Sequence, residues 1–213
     1  MEETNYKKRG ALILIEGLDR TGKTTQTIAL MNKLLNEKIQ ANLIKFPDRS
    51  TPIGKLINTY LIDKETQLSD ESAHLLFSAN RWELKDKIIN NLQEGKIIIL
   101  DRYVYSGVAY SSAKGLDFNW CLNADLGLPK PDKTIFLNLE NDQDLINRKG
   151  YGEERYEVKN FQDKVKLKFT RFFNDKNWEI IKVDNKTIDQ ISLEIWIKIK
   201  DLINGIEKPI EFF

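Results

Sequence analysis

The chain has 213 residues, with 41% hydrophobic and 31% charged side chains and a formal net charge of +1. This length suits one domain with a sizeable core, so we expect residues 1–213 to form a single domain. The balanced charge argues against nucleic acid or an anionic membrane as a partner, and no apolar run approaches the roughly 20 residues that span a bilayer.

The first predicted element is an apolar strand over residues 11–15, which leads directly into Gly17-x-x-x-x-Gly22-Lys23-Thr24. Apolar residues then recur at helical spacing. A strand, a glycine-containing loop of this spacing and a helix form the context in which backbone N–H groups bind nucleotide phosphates. Lys23 is expected along the outer phosphates, and the Thr24 hydroxyl is expected to bind Mg²⁺. The predicted ligand is ATP with Mg²⁺, and the loop residues that would hold it are Gly17, Arg20, Thr21, Gly22, Lys23, Thr24 and Thr25.

A second strand is predicted over residues 41–46, and Phe46-Pro47-Asp48-Arg49 follows at its end. In parallel sheets, ligands bind beyond the carboxyl ends of the strands. Pro47 stiffens the turn that aims the next side chains. Arg49 is therefore a candidate phosphate-binding residue.

One long helix is predicted over about residues 69–94, beginning after a Ser69 cap and ending at Gly95. Phe77 and Arg81 are four residues apart and share a face of this helix. An aromatic ring beside a guanidinium group can hold a flat base. Because guanidinium only donates hydrogen bonds, it favours a base edge with a carbonyl, such as O4 of thymine or uracil. The single histidine, His74, is expected on the helix surface or in packing.

A third strand is predicted over residues 97–100, and its uninterrupted apolar run is typical of a strand buried on both faces. Asp101 and Arg102 follow immediately. Their position at the end of the strand makes Asp101 the expected partner of Thr24 in holding Mg²⁺.

Two further strands are predicted over residues 133–139 and 178–183, and a helix over about 187–204. The alternation of strands and helices predicts an α/β fold with a parallel sheet covered on both faces. The charged, glycine-containing segment at about 148–157 is interpreted as a mobile lid. Arg155 in this segment is a candidate to reach the transferring phosphate when the lid closes.

Cys121 is the only cysteine, so an intramolecular disulfide is excluded. Residues 1–10 lack the apolar core of a signal peptide. These features predict a reducing compartment, the cytoplasm.

With these motifs in place, the chain resembles the thymidylate kinases from about residue 10 to residue 200. An arginine inside the phosphate-binding loop, at position 20, is similar to the eukaryotic and poxviral form of the family. The motifs that carry the resemblance are Gly17-Leu-Asp-Arg-Thr-Gly-Lys-Thr-Thr-Gln26, Phe46-Pro-Asp-Arg49, Leu76-Phe-Ser-Ala-Asn-Arg-Trp-Glu83, Asp101-Arg-Tyr-Val-Tyr-Ser-Gly-Val-Ala-Tyr110, Gly127-Leu-Pro-Lys-Pro-Asp132 and Glu154-Arg-Tyr-Glu157.

The resemblance implies the nucleoside monophosphate kinase fold with a P-loop and a five-stranded parallel sheet. It also implies a homodimer that moves the γ-phosphoryl group of ATP onto dTMP to give dTDP, a step of dTTP synthesis. In such an enzyme Arg20 clamps the transferring phosphoryl group and Asp19 meets the deoxyribose 3′-hydroxyl. Arg49 and Arg102 hold the phosphate of dTMP. The residues of a catalytic role would be Arg20, Lys23, Asp101, Arg102 and Arg155.

The same resemblance implies how the two nucleotides are recognised. Phe77 stacks on thymine, and Arg81 bonds its O4. Tyr156 crowds the sugar and disfavours a 2′-hydroxyl. Further residues around dTMP would be Phe46, Ser106, Gly107 and Tyr110. For ATP, Arg148 flanks the adenine and the loop 183–185 closes over it, with Asp184 and Asn185 in contact.

Three alternatives stay open at this point. A uridylate kinase or a broader pyrimidine kinase is the nearest, and acceptor profiling separates it from a thymidylate kinase. A GTPase-type switch needs Asn-Lys-x-Asp, whereas the chain has Asn185-Lys186-Thr187-Ile188. An inactive binding module conflicts with the presence of every charged residue that phosphoryl transfer requires.

Overall fold

The centre of the molecule is a five-stranded sheet in the order β2-β3-β1-β4-β5. It belongs to a computed structural model that describes residues 8–140 and 154–213. Every neighbouring pair of strands is parallel. The predicted parallel α/β sheet is therefore confirmed, and the strands are β1 (Leu12–Gly17), β2 (Ala41–Lys45), β3 (Ile97–Asp101), β4 (Lys133–Asn138) and β5 (Trp178–Lys182).

Helices cover both faces of this sheet. Two short 3₁₀ turns, Thr170–Phe172 and Lys200–Leu202, extend the last two helices. The helices within the described ranges are α1 (Lys23–Asn36), α2 (Pro52–Ile62), α3 (Asp70–Trp82), α4 (Lys85–Gln93), α5 (Val104–Ala113), α6 (Phe118–Asn123), α7 (Lys159–Phe169) and α8 (Ile188–Ile199). In residues 8–140 and 154–213, no helix is both long and apolar enough to cross a membrane.

The core divides into two apolar clusters because successive side chains of a strand point to opposite faces. Leu12 and Leu14 of β1 pack with residues of α4, α5 and α7. Ile13 and Ile15 of the same strand pack with residues of α1 and α8. Burial on both faces explains why β1 and β3 are apolar without alternation.

The predicted helix over 69–94 is wrong in one respect, because it is two helices. The Ser69 hydroxyl caps α3 by accepting from the Ser72 N–H, as predicted. The α-helix then ends after Trp82, and α4 begins at Lys85. At the break, the Glu83 carboxylate accepts hydrogen bonds from the Thr51 hydroxyl at 2.7 Å and the Asn80 amide at 2.9 Å. Tertiary contacts therefore accompany a break at which the sequence has no glycine or proline.

The predicted helix over 187–204 is shorter than expected. Thr187 caps it in a reciprocal capping box with Gln190, and the α-helical part ends at Ile199. Gly205 follows the 3₁₀ turn with a φ of +86°, a value that glycine adopts without strain.

His74 lies in the core rather than on the helix surface, and it joins α3 to α5 and α6. Its Nε2 lies 2.9 Å from the Cys121 carbonyl and its Nδ1 lies 2.8 Å from the Ser111 hydroxyl. A carbonyl only accepts, so Nε2 carries the proton and Nδ1 accepts from Ser111. Burial, assisted by the charge of Arg81, lowers the pKa of His74 below its ordinary value of 6.5. The packing part of the sequence expectation is confirmed.

This depressed pKa predicts a pH-dependent stability. The unfolded chain protonates His74 near pH 6.5 while the folded chain resists protonation, so stability is full above that value and falls as the pH drops below it. For one proton, the free energy of unfolding then decreases by up to about 1.4 kcal/mol for each pH unit. Because His74 is the only histidine, His74→Asn is expected to flatten this dependence in denaturant unfolding between pH 5 and 8. An unchanged slope in the variant would contradict the assignment.

Candidate active site

The carboxyl ends of β1, β2 and β3 surround a cavity of about 260 Å³. After β1 the chain continues to β2 and β3 on one side of that strand, and it then crosses to β4 and β5 on the other side, so the strand order reverses next to β1. Open sheets of this type bind ligands at such a point. The structure brings most of the predicted site residues to this cavity: Asp19, Arg20, Lys23, Thr24, Phe46, Arg49, Phe77, Arg81, Asp101, Arg102, Ser106, Gly107, Tyr110 and Tyr156.

The loop between β1 and α1 has the backbone that phosphate binding requires. A Cβ atom on Gly17 would lie 2.7 Å from the Leu137 carbonyl oxygen, so a side chain does not fit there. Arg20 has a φ of +62°, and Gly22 has a φ of +96°. Gly22 caps α1 without a side-chain acceptor, and the first turn contains no acidic residue. The positive end of the helix is therefore suited to an external anion.

Lys23 is buried at the bottom of the cavity, where its ammonium group donates to the Leu18 carbonyl. Burial and the neighbouring Arg102 lower its pKa, against the opposing effect of nearby carboxylates. A bound phosphate would supply negative charge beside this ammonium and so favour its charged form.

Thr24 and Asp101 place two side-chain oxygens next to each other. The Thr24 hydroxyl donates to the Asp101 carboxylate at 2.7 Å, which joins the start of α1 to the end of β3. Hydroxyl and carboxylate oxygens are ligands that Mg²⁺ prefers. In the part of the chain that the structure describes, no group of three or more His, Cys, Asp or Glu residues could hold a metal. The pair thus fits Mg²⁺ that takes its remaining ligands from phosphates and water.

Arg102 connects the phosphate-binding loop to the opposite wall of the cavity. It has a φ of +69° directly after β3. Its guanidinium group donates to the Gly17 carbonyl at 3.1 Å, to the Ser106 hydroxyl at 2.9 Å and to the Asp19 carboxylate. Asp19 also accepts from the Tyr110 hydroxyl at 2.9 Å. Burial alone would raise the pKa of Asp19, but Arg102 and Lys23 outweigh it and hold that pKa below its ordinary value.

The Phe77 and Arg81 side chains line one wall, as the helix spacing predicts. Arg81 is only 2% exposed, and it donates to the buried Asp125 carboxylate through Nε at 3.0 Å and Nη2 at 2.6 Å. A Cβ atom on Gly107 would lie 2.8 Å from Arg81 Nη1, so the glycine allows the guanidinium group to approach α5. Asp125 is therefore a supporting residue that holds Arg81 in place.

Two further arginines at the cavity pair with acidic residues of the segment 154–157. Arg49 donates to Glu154 at 2.6 Å and to Asn58 at 2.9 Å. Arg20 forms an ion pair with Glu157 at 2.9 Å. A phosphate group is a competing anion for both guanidinium forks.

Tyr156 closes the remaining side with a cluster of aromatic rings. Its ring stacks on Phe161 at 5.4 Å and meets Tyr110 edge to face at 5.9 Å. Its hydroxyl lies 3.1 Å from the Tyr60 hydroxyl and accepts from the Lys114 ammonium at 3.3 Å. Phe46 packs against Tyr103 in the same cavity, with ring centroids 5.4 Å apart.

Comparison with known proteins identifies the family. The family model for thymidylate kinase matches residues 15–195, which contain the cavity and most of the fold. The chain belongs to the thymidylate kinase family.

Individual thymidylate kinases support the same conclusion. The enzyme of Dictyostelium discoideum is 48% identical over 91% of this chain and 86% of its own length. That of Schizosaccharomyces pombe is 47% identical over 94% of both chains, and that of Homo sapiens 42% identical over 95% of this chain and 96% of its own length. The solved structure of the Candida albicans thymidylate kinase superposes with a TM-score of 0.90, at 48% identity, covering 97% of this chain and 99% of that one.

The thymidylate kinase reaction transfers the γ-phosphoryl group of ATP to dTMP and yields dTDP. The expected P-loop nucleoside monophosphate kinase fold and the resemblance to the eukaryotic form are both confirmed. Within the cavity, the phosphate-binding loop and the wall formed by Phe77, Arg81 and Tyr110 lie side by side.

Several predicted site residues of the thymidylate kinase lie outside the cavity lining. Thr25 belongs to the first turn of α1. Asp184 follows β5 and accepts from the Glu140 N–H at 3.0 Å, and Asn185 has a φ of +57° in the same loop. Arg155 binds backbone carbonyls at the end of α2 and in the segment that follows it, and it does not line the cavity. Arg148 and the first part of the predicted lid lie outside the described residues.

The polar residues that the sequence interpretation missed include Glu16, Gln162 and Lys45. Glu16 is fully buried at the end of β1, and it accepts from the Tyr103 and Ser106 N–H groups at 3.1 Å, thereby capping α5. Burial raises its pKa despite the nearby Arg102. Gln162 donates to Asp19 at 2.7 Å, and Lys45 donates to Thr24 at 3.3 Å. The sequence does contain a sign of Glu16, because it is a charged residue that directly continues an apolar strand.

The contact between Gly107 and Arg81 yields a prediction. Gly107→Ala places a methyl group about 2.7 Å from Arg81 Nη2, and Arg81 cannot retreat without breaking its bonds to Asp125. We expect the KM for dTMP to rise about tenfold or more, because small displacements in a site are costly. Ser112→Ala, on the same helix, is the control. Steady-state kinetics with an unchanged KM in Gly107→Ala would show that Arg81 does not contact dTMP.

Proposed function

We propose that this thymidylate kinase binds Mg²⁺-ATP on the loop 17–25 and dTMP in the adjoining cavity. The observation that carries this proposal is the contact of Arg102 with both the loop and the cavity wall. Its guanidinium group touches Gly17 and Asp19 of the loop and Ser106 of α5. A group in this place can hold the phosphate of dTMP next to the donor loop.

On the donor side, we assign charge neutralisation to Lys23 and Arg20. Both line the cavity, Lys23 from below and Arg20 from the loop. Thr24 and Asp101 would hold Mg²⁺, which when bound neutralises phosphate charge and orients the phosphates. Because an oxygen of the dTMP phosphate is already anionic at neutral pH, the reaction needs no strong general base. Catalysis then rests on positioning and electrostatic stabilisation by the protein.

On the acceptor side, Phe77 would stack on thymine, and Arg81 would donate from Nη1 to its O4 while Asp125 holds Nε and Nη2. The dTMP phosphate would replace Glu154 as the anion bound by the Arg49 guanidinium group. Asp19 is an acceptor for the 3′-hydroxyl, and the Tyr156 ring would exclude a 2′-hydroxyl. The other wall residues around dTMP in this proposal are Phe46, Ser106, Gly107 and Tyr110.

For the adenine, we infer contacts from Arg148 and the loop with Asp184 and Asn185; this rests on the family resemblance. We also propose a single domain over residues 1–213, with a lid at about 148–157, and a homodimer. Cytoplasmic location is proposed from the single, unpaired Cys121, which fits a reducing compartment.

A coupled assay of ADP release tests substrate choice with dTMP, dUMP, UMP and dCMP offered separately. We expect the order dTMP, then dUMP, with UMP and dCMP at least about tenfold lower, because an arginine donor favours O4 and Tyr156 crowds a ribose. Equal use of dUMP and UMP would remove the sugar role of Tyr156 and indicate a broader pyrimidine kinase. Efficient use of dCMP would remove the assigned role of Arg81.

A second test concerns Arg20. Arg20→Ala is expected to lower kcat by about 10³, with the KM for ATP changed only a few-fold, because an arginine of this kind acts on transition-state charge. Arg20→Lys keeps the positive charge and must adopt the same backbone conformation, with a φ of +62°. This variant is therefore expected to retain part of the activity. Equal losses in kcat and in ATP affinity for Arg20→Ala would contradict this role.

A further inference from the structure

Arg155 binds the C-terminal end of α2 from a distant part of the chain. Its Nε donates to the Tyr60 carbonyl at 2.9 Å, and its backbone N–H donates to the Leu61 carbonyl at 3.1 Å. Nη2 lies within 3.2 Å of three further carbonyl oxygens, those of Asp63, Lys64 and Thr66. The contacts with Tyr60 and Leu61 satisfy acceptors that the end of a helix leaves without intrahelical partners, and the other three bind the segment that follows the helix.

The electrostatics of this end of α2 suit a cation. The last turn of α2 has no basic residue of its own. The C-terminus of a helix has partial negative charge, which favours a guanidinium group there. The Arg155 guanidinium carbon also lies 4.3 Å from the centre of the Tyr60 ring, a cation–π distance. Arg155 is thus a C-terminal cap of α2 supplied by another segment.

The neighbouring residue, Tyr156, belongs to the cavity. Tyr60, whose carbonyl and ring Arg155 contacts, places its hydroxyl 3.1 Å from the Tyr156 hydroxyl, and the two rings meet at 6.2 Å. Arg155 and Tyr156 therefore hold Tyr60 from two sides. Because Tyr60 is only 4% exposed, packing holds it in place, and its contacts can fix the position of the Tyr156 ring.

We propose that Arg155 is a positioning residue that sets sugar selectivity by anchoring Tyr156 against the end of α2. This inference rests on the proposed role of Tyr156 in excluding a 2′-hydroxyl. The five donor contacts and the ring contact occupy Arg155 at a place that does not line the cavity. Neutralisation of the transferring phosphoryl group is left to Arg20 and Lys23.

The test measures kcat and KM for dTMP, dUMP and UMP in Arg155→Ala. Since dUMP and UMP differ only at the 2′-position, their ratio of kcat/KM reports sugar selectivity alone. We expect this ratio to fall about tenfold and the KM for dTMP to rise to a similar extent, while kcat for dTMP stays within about threefold. Arg155→Lys is expected to be intermediate, because an ammonium group keeps the charge but lacks the fork.

Two further variants separate this role from general damage. Arg171→Ala removes another arginine that lies over an aromatic ring, Phe118 at 3.6 Å, and it should leave selectivity unchanged. Tyr60→Phe keeps the ring contact but removes the hydroxyl bond to Tyr156, and a smaller fall in selectivity is expected. If Arg155→Ala does not fold, the selectivity of Arg155→Lys and Tyr60→Phe still tests the proposal. Thermal melting shows whether each variant is folded.

A loss of kcat of about 100-fold or more at unchanged KM would overturn the proposal and make Arg155 a catalytic residue. Unchanged selectivity in folded Arg155→Ala would also overturn it. Failure of the proposed sugar role itself is distinguishable, because the wild-type enzyme would then use dUMP and UMP equally.

Discussion

The contact between Arg102 and Asp19 is the interaction on which the rest of the site depends. Arg102 directly follows β3 and Asp19 lies in the loop after β1, so the pair joins two neighbouring strands at the carboxyl end of the sheet. The Tyr110 hydroxyl and the Gln162 amide bind the same carboxylate at 2.9 and 2.7 Å. Charged groups that are largely withdrawn from water are costly unless they are paired in this way. The pair therefore fixes the phosphate-binding loop relative to α5 and α7.

The same network joins further charged groups at the carboxyl end of the sheet. Glu16 caps α5 beneath Ser106, and Ser106 in turn accepts from Arg102. Two cations, Arg102 and Lys23, thus face a small set of carboxylates at the end of the sheet. In the proposed function, phosphates of either nucleotide would bring negative charge to these cations and favour their charged forms.

The sequence was sufficient for the strands and the phosphate-binding loop because those features are local, whereas many of the other residues of the cavity came from the resemblance to the thymidylate kinases. Apolar runs predicted all five strands, and the spacing of Gly17, Gly22 and Lys23 identified the loop. The break between α3 and α4 was missed because the Glu83 contact with Thr51 involves a residue distant in the chain. The place of Arg155 was missed for a similar reason, since a charged loop residue gives no local sign that its partner is the end of α2.

A crystal structure of the enzyme with dTMP, Mg²⁺ and a non-hydrolysable ATP analogue tests the central role of Arg102 most directly. The account predicts hydrogen bonds from the Arg102 guanidinium group to the dTMP phosphate, with the contact between Arg102 and Asp19 retained and the 3′-hydroxyl within hydrogen-bond distance of the Asp19 carboxylate. A dTMP phosphate bound away from Arg102, or a complex in which Arg102 and Asp19 have separated, would contradict it.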